Sequence, residues 1–381
     1  MNRQTARCRK RWRQVPSPSS SSEQLPEAKY HSSDLPYRDI ATALTCIIRH
    51  APSNPAMGDR SMKLARPLFL VLLLSAAMPT AIWAQGGIQY DKIEIKTDKV
   101  APNLYMLSGS ENVDPGHPDG AGGRIGVLAG PDGIFMVDSQ YLQIGDKVLA
   151  AVRQIDPGPI RFLVNTHIHG DHTAGNATFA KLGAVLLARE ELREGLARQP
   201  ATAPPVARDP ARLPIVTYGM GDPVRFRMNG ETVELIPVRA AHTGGDTMVR
   251  FVNADVIMIG DFYRNFGYPF IDTNNGGSLK GALEGLELTM KIAGPNTRLI
   301  PGHGTYINRT DIVPYRDMIL AVRAKVQQLI DAGKTLQEVL AAKVTSSYDA
   351  RVPGGLLPAG AAGTSADRFV SMVYSQLKEG Q

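Results

Sequence analysis

The segment Asn165-Thr-His-Ile-His-Gly-Asp-His-Thr-Ala-Gly-Asn176 places His167, His169, Asp171 and His172 within six residues, directly after an apolar run. Imidazole nitrogens and carboxylate oxygens are ligands that zinc takes, and a His-x-His pair on extended backbone points both rings to one side. Gly170 permits a turn that aims Asp171 and His172 at a second point close by, so the pattern predicts two metal ions side by side. Structural zinc sites are mostly Cys-rich and are filled by protein on all four sides. A cluster that must be completed from elsewhere in the chain and leaves room for water predicts chemistry rather than scaffolding.

Something has to deliver that cluster, and the apolar strand Ile160-Arg-Phe-Leu-Val-Asn165 does so at its carboxyl end, where open α/β sheets place their sites. Three more strand ends carry the same chemistry. His242 lies in the loop Ala241-His-Thr-Gly-Gly-Asp246, after a hairpin signalled by Asn229-Gly230. Asp261 follows the strand Val256-Ile-Met-Ile259, and His303 follows Arg298-Leu-Ile300. From Gln85 onward there are six His, and five of them occupy these turns, a distribution that core packing does not produce. Thr243, Gly244 and Gly245 read as allowing close backbone approach, and Asn176 as support for the ligands. Asp138, ending the strand Gly133-Ile-Phe-Met-Val-Asp138, either orients a ligand imidazole or caps the next helix. His117, at the tip of the Gly/Pro/Asp-rich loop 111–123, reads as a solvated side chain rather than one reaching over the site.

Alternation and turn residues predict an edge hairpin at 92–96 and 103–107 and a buried hairpin at 124–129 and 133–138. The helical period predicts helices at 144–155, 177–181, 189–198, 279–293, 314–331, 336–343 and 366–378. Residues 199–214 hold five Pro and read as a surface insertion.

Residues 1–61 are Arg-rich and then Ser/Pro-rich, and read as a disordered extension or a misplaced translation start. Residues 62–84 have a basic start, an apolar run and small residues up to Ala84, the pattern of a secretory signal peptide; an uncleaved anchor is the rival reading. Cleavage predicts a periplasmic or secreted protein with no stable membrane span. It also removes twelve basic residues and five acidic ones, leaving 30 against 31 and a net charge near −1 instead of +6, so no nucleic-acid partner is expected. Cys8 and Cys46 both precede the cut, leaving neither disulfide nor thiolate ligand. The remainder is long enough for one large α/β domain, a body over 85–310 with the helices of 311–381 packed on it.

The string His167-Ile-His-Gly-Asp-His172, with His242, Asp261 and His303 following in that order, resembles the metallo-β-lactamase superfamily over about residues 90–310. The resemblance implies a four-layer αββα sandwich in a single domain, with a binuclear zinc site (two Zn2+ ions) at one edge. It assigns His167, His169 and His242 to one metal and Asp171, His172 and His303 to the other, with Asp261 bridging. It implies hydrolysis of a small-molecule substrate through a water shared by the ions, Asp171 orienting the nucleophile or passing a proton. Arg264 resembles the Lys that holds the substrate carboxylate in some β-lactamases, and Asn275 resembles their oxyanion-side Asn. The expectation is an exported zinc-dependent hydrolase acting on a β-lactam or related amide. Lactone, ester or thioester cleavage is the alternative, because Asp261 stands where those β-lactamases carry Cys. A metal-binding protein without turnover is the alternative of another class, and oligomeric state is left open.

Overall fold

The computed structural model describes residues 87–198, 208–359 and 363–380. Residues 1–61, the segment 62–84 and the core of the Pro-rich insertion lie outside the described residues. Contacts divide the chain into Met1–Pro79 and Thr80–Gln381, and the description that follows concerns the second unit.

Twelve strands form two sheets among the described residues. The first holds β1 (Ile95–Ala101), β2 (Leu104–Gly109), β3 (Ile125–Leu128), β4 (Ile134–Val137), β5 (Ile160–Val164), β6 (Val185–Arg189) and β7 (Val216–Tyr218), in that order. The second runs β12 (Arg298–Pro301), β11 (Val256–Gly260), β10 (Thr247–Phe251), β9 (Glu231–Pro237), β8 (Val224–Met228). Pairing is parallel from β4 through β7 and between β11 and β12, and antiparallel elsewhere.

Side-chain alternation builds the layers. On β4, Phe135 and Val137 join Leu104, Val164, Val233, Leu235, Val249 and Met258 in a core between the two sheets. Ile134 and Met136 point the other way, toward Val148 and Val152 of α1 (Gly145–Ile155) and Phe179 of α3 (Asn176–Lys181), which follows the single turn α2 (Gly170–Thr173). The second sheet does the same: Val256 and Met258 face inward, while Ile257 and Ile259 face the helices. Period-two burial on both faces explains why these strands read as unbroken apolar runs. The result is helices, sheet, sheet, helices: the αββα sandwich.

The outer helices of the second sheet are α5 (Leu279–Ile292), α6 (Arg309–Asp331), α7 (Leu336–Ala341) and α8 (Ser365–Glu379), while α4 (Glu190–Ala197) covers the end of β6. Ile319, Val322 and Val326 of α6 and Phe369, Val370 and Val373 of α8 share one apolar cluster with Ile257 and Leu299 of the sheet, so the carboxyl-terminal helices extend the same body. No helix among the described residues is long and apolar enough to cross a membrane.

Two elements differ from the sequence expectation. Residues 92–96 are not a strand from the start: Tyr90–Lys92 form a 3-10 turn and β1 begins at Ile95. Lys147 Nζ donates to the carbonyls of Tyr90, Asp91 and Ile93, occupying the acceptors a strand partner would need. The long helix α6 starts five residues before Pro314, because Asn308 and Asp311 form a reciprocal capping box that fixes its first turn and leaves the proline inside the helix.

Candidate metal centre

Chain ends of the parallel strands meet at one edge, and each brings a polar turn. Backbone bonds lock these turns together: Thr247 N donates to Thr166 O at 2.8 Å, Asp272 N to His242 O at 2.9 Å, and Arg124 N to Gly302 O at 2.8 Å. Arg124 also donates from Nη1 to Pro301 O at 2.8 Å and from Nη2 to Gly304 O, holding the His303 loop from both sides. A Cβ on Gly302 would collide with Asp261 Oδ1 and come within 3.0 Å of the His172 ring, so only glycine lets that loop approach.

All seven residues expected as ligands converge. His169 Nδ1 lies 3.0 Å from His242 Nε2, and His167 joins them in one compact donor group. Across from it, His303 Nε2 is 3.1 Å from Asp171 Oδ2 and 3.4 Å from His172 Nε2. Asp261 stands between the groups: Oδ2 is 3.9 Å from His167 Nε2, 3.8 Å from His242 Nε2 and 3.1 Å from His303 Nε2, and Oδ1 is 3.5 Å from His172 Nε2. Donors at about 2.0–2.1 Å from a tetrahedral zinc lie roughly 3.3 Å apart, so this spacing fits the ion.

Four of the imidazoles are oriented from behind, while His303 Nδ1 is buried without a hydrogen-bond partner. Asp138 Oδ2 is 2.7 Å from His172 Nδ1, and because a carboxylate only accepts, Nδ1 carries a proton and Nε2 faces inward. The same oxygen accepts the Thr166 hydroxyl at 2.7 Å, and that hydroxyl lies 3.1 Å from His167 Nδ1, turning His167 Nε2 inward too. His242 Nδ1 is 2.6 Å from Phe270 O, and His169 Nε2 is 2.8 Å from Asp272 Oδ2. His167 Nε2, Asp171 Oδ2 and Asp261 Oδ1 are buried without a hydrogen-bond partner, atoms that a cation between them would satisfy.

Electrostatics separate the two groups. Burial, reinforced by His172, holds the His167 imidazole well below its usual range, and burial with His169 and Arg264 nearby brings His242 down to about 3. Both are therefore neutral donors at pH 7. Burial would lower His172 and His303 as well, but Asp171, Asp138 and Asp261 push His172 up to about 10, and Asp261 and Asp171 push His303 up to about 9. Burial alone would raise Asp171 and Asp261; the imidazoles around them hold both well below the ordinary carboxylate range.

The structure corrects the reading of His117. Its ring stacks on His303 with centroids 3.8 Å apart and planes within 5°, Nδ1 is 3.1 Å from Asp114 Oδ2, and Nε2 is 3.8 Å from Asp171 Oδ2. It is a third imidazole of the Asp171 and His303 group rather than a solvated loop tip. Asp114 is a local partner three residues away, but the contacts that bring His117 to the donors, with His303 and Asp171, come from distant segments. Asp138 resolves as the orienting carboxylate and not a helix cap; the residue before α1 is Ile144. Asp272, Phe270 and Arg368 were also not singled out by sequence; only the Asp272-Thr-Asn-Asn275 turn, with Asp272 capping backbone N–H groups, is a local signal.

Asn176 donates to Asn165 Oδ1 at 2.7 Å and accepts from Ser139, bracing the turn that carries the cluster. Gly244 and Gly245 face chain, not ligand: Gly244 N donates to Asn275 O at 2.7 Å, and a Cβ on Gly245 would press on Leu192. The Asn275 amide, exposed, donates to Asp272 Oδ2 at 2.7 Å, so the structure places it behind His169 and does not bring it to the donors. Arg264, half-buried, lines a cleft shared with His117.

A four-layer sandwich that converges five or more imidazoles and two carboxylates at the carboxyl ends of its strands is the body of a metal-binding hydrolase. Residues 118–313 match the family description "Metallo-beta-lactamase superfamily", and the chain belongs to that superfamily. Comparison with curated proteins returns no match. Among solved structures, a metallo-beta-lactamase from Pontibacter korlensis is 14% identical over 60% of this chain and 99% of its own, with a TM-score of 0.50. A stereoselective inverting sec-alkylsulfatase from Pseudomonas sp. is 16% identical over 74% of this chain and 50% of the sulfatase, with a TM-score of 0.55. These are likenesses of fold.

Proposed function

We propose that the protein is a binuclear zinc hydrolase that cleaves a small ester, lactone or thioester. The observation that carries this is the position of Asp261, within 3.1–3.9 Å of donors from both groups. Five or six imidazoles with two carboxylates and no sulfur suit zinc. An oxygen at the shared position, where the resembling β-lactamases use Cys, supports ester-type substrates over a β-lactam. The sulfatase likeness is in accord with a fold that accommodates esters.

Zinc, when bound, would lower the pKa of a shared water and polarise a substrate carbonyl. The protein's own part is orientation and proton handling. Asp138, Thr166, Asp272 and Phe270 O fix which nitrogen of His172, His167, His169 and His242 faces inward. Asp171, whose Oδ2 is 3.1 Å from His303 Nε2, would orient the attacking water or pass its proton.

The test is metal analysis of the purified protein, together with assays on an aryl ester, an acyl-homoserine lactone, a thioester and nitrocefin, each with and without chelator. Two zinc ions per chain and chelator-sensitive cleavage of an oxygen or sulfur ester are expected. Turnover of nitrocefin alone would transfer the substrate assignment to β-lactams, and a fully loaded protein inert on all four would end the hydrolase reading.

We also propose export, with residues 62–84 as the cleaved signal. Amino-terminal sequencing of the protein recovered from cell fractions should begin at Gln85; a chain retained inside the cell with Met62 intact would count against it.

A further inference from the structure

Arg368 lies outside the family-matched segment 118–313, near the start of α8. Its guanidinium carbon sits 4.4 Å from the centroid of the Phe270 ring. That ring lies 5.7 Å from His169 and 5.5 Å from His242, so Arg368 is one aromatic side chain away from the first donor group. Arg264 and Arg368 line the same cleft of about 610 Å³, and His117 forms part of its wall. The cleft therefore borders the second donor group through His117, and the Phe270 ring stands between its Arg368 and the first.

Among the described residues, no carboxylate in the cleft is free to answer the two positive charges. Asp114 is the one acidic side chain lining it there, and its oxygens are taken by His117, the Tyr141 hydroxyl and the N–H groups of Gly116 and Gly122. Arg368 Nε is buried without a partner, and no ion pair joins Arg264 or Arg368 to a carboxylate among the described residues. Burial, with Arg264 close by, lowers Arg368 to about 10. Like charges brought together in a part-buried cleft are unfavourable unless an anion meets them, and guanidinium forks match planar oxyanions. Ile88, Phe266 and Leu357 add an apolar flank.

We propose that Arg264 and Arg368 form a clamp for an anionic group of the substrate, seating it in this cleft while the scissile carbonyl faces the donors beyond His117. This rests on the hydrolase reading and narrows it: the substrate is a small ester or lactone carrying a carboxylate, sulfate or phosphate beside an apolar segment. Arg368 is then a specificity determinant supplied from outside the matched family segment.

Two measurements test it. In the first, glutarate, sulfate and phosphate are titrated calorimetrically into chelated full-length protein. Binding is expected for at least one, weaker by about tenfold in R368Q and in R264Q and partly restored in R368K. The preferred anion identifies the group. In the second, KM is compared for mono-p-nitrophenyl glutarate and the uncharged p-nitrophenyl valerate, with thermal melting as the folding control. In R368Q the ratio of the anionic to the neutral KM should rise about tenfold with kcat for the anionic ester little changed. Wild-type protein that binds none of the anions, or a KM ratio unmoved in both R368Q and R264Q, would overturn the clamp. Anion binding that depends on both arginines, without cleavage of either ester, would uphold the clamp and remove the hydrolase reading.

Discussion

Asp138 Oδ2 is shared: it lies 2.7 Å from His172 Nδ1 and accepts, at 2.7 Å, the Thr166 hydroxyl that faces His167 Nδ1. One buried carboxylate thus orients an imidazole in each donor group. Asp138→Asn keeps the shape but presents an N–H to one of these neighbours. Metal affinity should fall by about 10–100-fold, read by competition against a chromophoric chelator. An affinity equal to wild type would show that His172 is oriented without it.

Asp261→Asn tests the shared position. A neutral amide lowers the negative charge that both groups use, so the more weakly held ion should be lost and zinc content should fall from about two per chain toward about one. Elemental analysis after dialysis gives the number. Retention of both ions would show that Asp261 does not bridge.

Gly302→Ala places a methyl against Asp261 Oδ1 and the His172 ring. Overpacking of a rigid site costs roughly 1–3 kcal/mol, and here it should also loosen metal binding. Urea unfolding with and without chelator separates the two effects. A variant with wild-type stability and metal content would mean that the loop can retreat at little expense.

Asp114 gives a pH dependence with a definite sign. Burial would raise its pKa, but bonds from His117, Tyr141 and Gly116 bring it down to about 2 from the ordinary 3.8. A depressed carboxylate stabilises the fold above its unfolded value and stops doing so as pH falls through its folded value. The gap in melting temperature between wild type and Asp114→Asn should therefore be widest above about pH 4 and close toward about pH 2. A gap that widened on acidification would contradict the assigned bonds.

The convergence of these seven side chains was legible in the sequence because each sits in a turn after an apolar strand, with glycine at Gly170, Gly244, Gly260, Gly302 and Gly304 marking those turns. Most strands were legible for the same reason. What escaped depends on contacts between distant segments. His117 reads as a loop residue until His303 stacks on it, and Asp138 has two local interpretations until His172 selects one. Arg368 looks like one more charge on an amphipathic helix, since its meaning lies in Phe270 and Arg264. The start of β1 was misplaced because Lys147 captures carbonyls from far along the chain.

The donors are divided between the two sheets: His167 through His172 hang from β5, whereas His242, Asp261 and His303 hang from the sheet that holds β10, β11 and β12. An ion held by both is a rivet through the seam. Sliding of one sheet past the other would pull such coordination apart, so release of a bound metal and opening of the sandwich at this edge would be a single event, and a metal held there would lengthen the life of each folded molecule.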